Sequence, residues 1–119
     1  MNDVPYLLVV EDDDDLRETM AELLEEAGFT TLTAEHGADA LRVIAERGIP
    51  KLILLDLVMR VMDGWTFLSR LRSVPTYAGI PVIVTTSGPA RAPTGVIVLE
   101  KPVNPEVLER HIQRYLLAS

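Results

Sequence analysis

The sequence predicts an α/β domain, a doubly wound parallel sheet of five strands with helices on both faces. Short apolar runs recur along the chain, each typical of a strand that is buried on both sides. Amphipathic stretches of helical spacing separate most of these runs, and strands that alternate with helices form parallel sheets. Carboxylates, hydroxyls and one lysine follow directly after the apolar runs.

The first half of the chain contains three predicted strands and two predicted helices. YLLVV (6–10) is continuously apolar, TTLTA (30–34) is short and β-branched like an edge strand, and LILLD (52–56) is apolar enough to be the central strand. Each helix is ended by a glycine, Gly28 or Gly48. The apolar positions with helical spacing are Leu16, Met20, Leu23, Leu24 and Ala27 in the first helix, and Ala40, Leu41, Ile44 and Ala45 in the second, over 38–47.

The second half contains two further strands and two helices. Asp63 is predicted to cap a helix that carries Phe67, Leu68 and Leu71. PVIVT (81–85) and GVIVL (95–99) are predicted as buried strands. In the last helix Asn104 is the expected N-cap and Pro105 the first residue; its buried stripe is Leu108, Ile112, Tyr115 and Leu116.

The connection between the last two strands is too short for a helix. Only nine residues, SGPARAPTG (87–95), separate Thr86 from Val96. A crossover that includes its helix needs at least about 10–12 residues, and the prolines and glycines of this segment break or bound helices. We therefore expect an extended crossover with at most one helical turn.

Composition limits the function. A chain of 119 residues is expected to form one domain, 1–119. The net charge of −7 disfavours nucleic acid and anionic membranes as partners. The absence of cysteine excludes disulfides and zinc–thiolate sites. Because we find neither a signal peptide nor an apolar run of membrane length, the expected location is the cytoplasm.

The residues that follow the strands form one constellation, because ligands of open parallel sheets bind beyond the carboxyl ends of the strands. The acids Glu11–Asp13, together with Asp56, suit Mg²⁺, which would relieve their mutual repulsion. The glycine-rich turn of a nucleotide site is missing there. With a metal present, Asp56 could act as a nucleophile toward phosphorus, and Thr86 and Lys101 could stabilise the transferred group. Taken alone, the acid run has a plainer interpretation as a solvated helix start.

Four segments carry a family resemblance. LLVVEDD, LILLDLVM followed by MDG, IPVIVTTS and EKPV occur in this order, each at a strand end. Together they resemble the receiver domain of two-component response regulators over essentially the whole chain. The resemblance implies a flavodoxin-like five-stranded sheet of order 2-1-3-4-5, here with the fourth helix of the family shortened or missing.

The resemblance also implies roles for individual residues. Asp56 would accept a phosphoryl group from the phosphohistidine of a sensor histidine kinase or histidine phosphotransfer protein, assisted by Thr86 and Lys101. The phosphorylated domain would then bind a different downstream protein. The Lys101–Pro102 bond is expected to be cis. The ligands of Mg²⁺, or of Mn²⁺, would be Glu11, Asp12, Asp56 and the backbone carbonyl of Val58.

The family pattern is broken at three places. Arg60 stands where the family usually has proline, and Val98 stands where it often has an aromatic residue. The third departure is the short crossover. It predicts that the usual dimer, through the face made by the fourth helix, strand 5 and the last helix, does not form. Within the acid run, Asp14 or Asp15 is the expected cap of the first helix. Asp13 could either cap this helix or belong to the acidic site.

Two other functions compete with the phosphoacceptor switch. An aspartyl phosphohydrolase would need a second aspartate two residues after the nucleophile, where this chain has Val58. An inert binding module is disfavoured by the intact set of site residues. His36 and His111 are interpreted as ordinary surface or helix residues. A stand-alone regulator and a piece of a longer protein both remain open.

Overall fold

The computed structural model describes residues 4–118, including all side chains in that range except those of residues 90, 117 and 118. Strands and helices alternate along the chain as predicted, and a single turn of 3₁₀ helix replaces one helix. The elements in order are β1 (Leu7–Val10), α1 (Asp14–Glu26), β2 (Thr31–Ala34), α2 (Gly37–Arg47), β3 (Leu52–Asp56), α3 (Gly64–Ser73), β4 (Val82–Thr86), the 3₁₀ turn (Pro89–Arg91), β5 (Ile97–Glu100) and α4 (Pro105–Ala118).

The five strands are all parallel and lie in the order β2-β1-β3-β4-β5. This confirms the predicted topology, with β2 at an edge and the apolar β3 at the centre. The strand order reverses between β1 and β3, and their carboxyl ends are level because Val10 pairs with Leu55. Asp56 in turn pairs with Thr85 on β4. The polar residues that follow these strands therefore share one edge of the sheet.

The sheet separates two apolar layers, as alternation along a strand requires. In β1, Leu8 and Val10 face the layer under α2 and α3, whereas Leu7 and Val9 face the layer under α1 and α4. Most of the predicted helix stripes are confirmed: Leu24 and Leu108 are buried in the second layer and Phe67 in the first. The stripes were wrong at Ala27 and Ala45, which are exposed near the carboxyl ends of α1 and α2. In α4, Tyr115 and Leu116 are partly buried against the same layer.

The helix caps differ in part from the prediction. Asp63 and Asn104 cap α3 and α4 as expected, since each side chain accepts a backbone N–H of the first turn. The cap of α1, however, is Asp13, whose carboxylate accepts the Leu16 N–H at 2.9 Å, so the assignment to Asp14 or Asp15 was wrong. His36, predicted to be an ordinary residue, caps α2 through Nδ1.

The crossover between β4 and β5 is extended, with one 3₁₀ turn at Pro89–Arg91, which confirms that the fourth helix of the family is missing. The indole N–H of Trp65 donates to the Arg91 carbonyl at 2.9 Å, and the Arg91 guanidinium lies over the ring. The prediction that β5 is buried was wrong: Ile97, Val98 and Leu99 are only half-buried. The physical reason is that β5 is an edge strand without a regular helix from this crossover to cover it.

Candidate functional site

The buried acid of β1 is Glu11, which directly follows the strand and is 5% exposed. Its backbone N–H donates to the Ala34 carbonyl and continues the pairing with β2. One carboxylate oxygen, Oε2, accepts the Asp13 N–H at 3.1 Å, and the other, Oε1, accepts the Lys101 ammonium at 3.1 Å. Burial raises the pKa of Glu11, and the negative charge of Asp56 adds to the rise, against the lowering by Asp13 and Lys101.

Asp56 ends the central strand and is 7% exposed. Its Oδ1 lies 3.2 Å from Lys101 Nζ. The chain then turns sharply, because the Gly64 N–H donates to the Leu57 carbonyl at 2.8 Å and brings α3 against the strand end. A Cβ on Gly64 would lie 2.5 Å from the Asp56 carbonyl oxygen, so only glycine fits this close approach.

Lys101 reaches the site from the segment after β5. Its backbone N–H donates to the Thr86 carbonyl at 2.9 Å, and its peptide bond to Pro102 is cis, as predicted. Burial alone would lower the pKa of Lys101, but the hydrogen bond to Glu11 and the charges of Asp56 and Glu11 outweigh it and raise the pKa. One ammonium therefore compensates two buried carboxylates.

Thr86 ends β4 and is buried. Its Oγ1 accepts the Gly88 N–H at 3.0 Å. Within residues 4–118, no hydrogen bond joins the Thr86 hydroxyl to Asp56 or to the Lys101 ammonium. The structure thus places Thr86 at the same sheet edge as Asp56 without a direct bond between their side chains.

Asp12 and Val58 lie on the outer side of the site. Asp12 is 23% exposed at the side chain, and both of its carboxylate oxygens lie 3.2 Å from Arg60 Nε. Val58, two residues after Asp56, exposes its side chain in the loop that follows β3. The role of its backbone carbonyl as a metal ligand stays a prediction.

The donor set suits a hard divalent cation by its chemistry, since three carboxylates come from adjacent strand ends. Among the residues that the structure describes, however, no group of three or more acidic, histidine or cysteine side chains is arranged to hold a metal ion. The reason is visible in the ion pairs: Lys101 is bonded to Glu11 and lies beside Asp56, while Arg60 pairs with Asp12. Lys101 and Arg60 thus neutralise the acids that were predicted to bind a divalent cation.

Sequence reasoning missed the pair between Arg60 and Asp12. The family pattern marks Arg60 only as a departure and gives it no partner. A signal existed, because an arginine four residues after Asp56 lies in a loop at the same sheet edge as the acid run. Reasoning about charge compensation at that edge could have found the pair.

The parallel sheet of order 2-1-3-4-5 with a cluster of acids at its carboxyl edge defines the class of CheY-like α/β domains. Residues 7–113 match the family model described as response regulator receiver domain. The chain therefore belongs to the response regulator receiver domain family.

Individual relatives agree with this assignment. The chain is 34% identical to the uncharacterized 14.6 kDa protein in the sodA1 3′ region of Leptolyngbya boryana, over 94% of this chain and 90% of that protein. It is 32% identical to response regulator Rre1 of Synechocystis sp., over 94% of this chain but 51% of that protein, so it spans about half of Rre1. Among solved structures, the receiver domain of a signal transduction histidine kinase from Syntrophus aciditrophicus superposes with a TM-score of 0.84 at 29% identity, covering 96% of this chain and 91% of that one.

Within residues 4–118, no helix is both long enough and apolar enough to cross a bilayer.

Proposed function

We propose that this chain is a phosphoacceptor switch, in which Asp56 accepts a phosphoryl group and the modified domain changes the partner that it binds. The observation that supports this most strongly is the buried Asp56 carboxylate beside Lys101, which also holds Glu11. Buried charges are rare unless they are paired. Here the pair lies at the ligand-binding edge of the sheet, where a carboxylate can react.

The reaction is a direct transfer. A carboxylate oxygen of Asp56 forms a bond to phosphorus as the P–N bond of a phosphohistidine breaks, and the departing imidazole takes up a proton. The donor is a sensor histidine kinase or a histidine phosphotransfer protein, and a cytoplasmic location belongs to the same proposal. The chain would catalyse only its own phosphorylation and dephosphorylation, because Val58 stands where a hydrolase would carry its general acid.

Lys101 and Thr86 would stabilise the oxygens of the transferred group. The Lys101 ammonium already lies 3.2 Å from Asp56 Oδ1 and is anchored by Glu11. The Thr86 oxygen accepts the Gly88 N–H, which leaves its hydroxyl proton free to donate toward a phosphoryl oxygen. A new bond of this kind would link phosphorylation to the position of the crossover that begins at Ser87.

A divalent cation is part of the proposal. Glu11, Asp12, Asp56 and the Val58 carbonyl would hold Mg²⁺ or Mn²⁺, which supplies the charge that lets an anionic phosphoryl group approach the acids. The residues of the chain have three further roles. Asp56 attacks phosphorus, Lys101 and Thr86 stabilise the negative charge on the phosphoryl oxygens, and the buried strand ends keep these groups in place.

Intact-mass analysis after incubation with acetyl phosphate and Mg²⁺ tests this function. We expect the wild-type chain to gain one phosphoryl group, and we expect EDTA to prevent the gain. Asp56→Asn should not gain it, whereas Asp39→Asn, which removes a carboxylate on α2, should react like the wild type. Equal phosphorylation of Asp56→Asn and wild type would contradict the proposal.

A further inference from the structure

Arg60 pairs with the acid that the proposed function assigns to the metal. Its Nε lies 3.2 Å from both oxygens of the Asp12 carboxylate, so one N–H of the guanidinium is shared between the two oxygens. The Arg60 side chain is 78% exposed and that of Asp12 is 23% exposed. The pair therefore lies on the solvent side of the acid cluster, outside the buried contacts of Lys101 with Glu11 and Asp56.

The backbone of the loop holds Arg60 in this position. Val61 has φ of 67°, a value that a β-branched residue rarely adopts, and the Met62 N–H donates to the Arg60 carbonyl at 2.7 Å. A bond between residues two apart around a positive φ defines a strained γ-turn. The next residue is fixed from outside the loop, because the Gly37 N–H donates to the Met62 carbonyl at 3.0 Å.

The three acids of the site, Glu11, Asp12 and Asp56, thus have two counter-ions that differ in burial. Lys101 is part-buried, is bonded to Glu11 and lies beside Asp56. Arg60 reaches Asp12 from a long, exposed side chain and can leave it for water with little loss, since exposed ion pairs contribute little stability. Lys101 is the fixed positive charge and Arg60 the removable one.

We propose that Arg60 competes with the divalent cation for Asp12, so that metal binding requires the guanidinium to leave the carboxylate. The inference rests on the proposed function, because it assumes that Asp12 is a metal ligand. A divalent cation on Asp12 would meet the positive charge of Arg60 at close range, and the two cations repel each other. Arg60 would thereby lower the metal affinity of the domain and raise the metal concentration at which Asp56 becomes reactive.

Mg²⁺ titrations followed by Trp65 fluorescence and by amide NMR shifts measure this competition without any phosphorylation. Arg60→Gln keeps much of the side-chain length but removes the charge, and we expect it to bind Mg²⁺ about fivefold more tightly than wild type, as the release of one exposed ion pair implies. The matched control is Arg42→Gln, which removes the same charge and two ion pairs on α2. It should leave the affinity within about twofold, because Arg42 pairs with Asp39 and Glu46 and not with an acid of the proposed metal site.

A second readout follows Arg60 itself. In the wild type, the Nε–H resonance of Arg60 should shift toward that of a solvated arginine as Mg²⁺ saturates the site, and the released Nε–H should exchange faster with water.

The outcomes separate the two proposals. Asp12→Ala should weaken Mg²⁺ binding if Asp12 is a metal ligand. If Arg60→Gln does not also strengthen Mg²⁺ binding, the competition is overturned and the metal site stands. An Arg60 resonance that stays unchanged at saturating metal would overturn it as well. Absence of Mg²⁺ binding in both wild type and Arg60→Gln would overturn the metal site and the competition together.

Discussion

The Lys101 ammonium lies 3.2 Å from the Asp56 carboxylate, although β4 separates their strands in the sheet. The same ammonium donates to Glu11 at 3.1 Å. A single positive charge therefore joins the carboxyl ends of β1, β3 and β5, and it makes the site a part of the fold as well as of the proposed chemistry.

Removal of Lys101 should destabilise the domain. Lys101→Met leaves two buried carboxylates without their counter-ion, and we expect the free energy of unfolding to fall by about 2–3 kcal/mol at neutral pH, below the value for a fully buried pair because Lys101 is partly exposed. Urea unfolding measures this. Lys51→Met, which alters an exposed lysine just before β3, should change stability by less than about 0.5 kcal/mol. Equal stabilities of the two variants would contradict the counter-ion role.

The loss of unfolding free energy in Lys101→Met should depend on pH. The pKa of Glu11 is already raised by burial in the wild type and would rise further without Lys101. A carboxyl whose folded pKa lies above its unfolded value gives stability when protonated and loses it as pH rises through the folded pKa. The stability difference from wild type should therefore shrink as pH falls from neutral toward the usual range of glutamate. A difference that is constant over this range would argue against an electrostatic origin.

Gly64→Ala should destabilise the domain through a steric clash next to Asp56. The added Cβ would lie 2.5 Å from the Asp56 carbonyl oxygen and 2.7 Å from Leu57 Cα, and backbone cannot move as easily as a side chain. We expect a loss of about 2–3 kcal/mol in thermal or urea unfolding, within the range for overpacking. Gly79→Ala is the matched control, because its Cβ would meet nothing within 4 Å. If both substitutions had the same effect, the close approach of α3 to Asp56 would be in doubt.

The aspartyl phosphate should be long-lived. Val58 and Gly88 lie two residues after Asp56 and Thr86, and neither side chain can orient a water molecule by hydrogen bonding. Val58 is 72% exposed, so a replacement can enter the mouth of the site without repacking the core. Val58→Asn should speed the loss of the phosphoryl group severalfold, measured as the decay of the phosphorylated mass after the donor is removed. A slower or unchanged decay would refute the explanation.

The short crossover predicts that phosphorylation does not produce a dimer built on the fourth helix of the family. In this chain Pro89–Arg91 form only a single 3₁₀ turn, and Trp65 holds that turn against α3. Sedimentation analysis before and after phosphorylation should give the same mass for Arg91→Glu as for the wild type. A phosphorylation-dependent dimer that Arg91→Glu abolishes would contradict this prediction.

The sequence was sufficient for the architecture because its signals are local. The apolar run of β3 and the capping aspartate Asp63 each determine nearby structure, and the nine-residue crossover limits what can form between two strands. The half-buried state of β5 was not foreseen, since burial depends on which element covers a strand rather than on the strand itself. GVIVL is as apolar as a central strand, yet it lies at an edge without a covering helix.

The sequence was sufficient to predict which residues lie at the candidate site, but not which of their side chains bond to each other. Strand-end residues must share an edge in a parallel sheet, so Asp56, Thr86 and Lys101 could be grouped from sequence. The identity of the α1 cap depends on one carboxylate among five consecutive acids, and propensity does not distinguish Asp13 from Asp14. Charge compensation at that edge points to a pair between Asp12 and Arg60, but the geometry of the pair depends on a strained turn at Val61, which no residue preference predicts.

The central claim is that Asp56 is the acceptor, and the direct measurement is the position of the phosphoryl group in the chain. After reaction with acetyl phosphate and Mg²⁺, the acyl phosphate can be reduced with borohydride and its position read by peptide mass spectrometry. The account predicts that the reduced residue is at position 56. A modification at another carboxylate, such as Asp12 or Glu11, with position 56 unmodified, would contradict it.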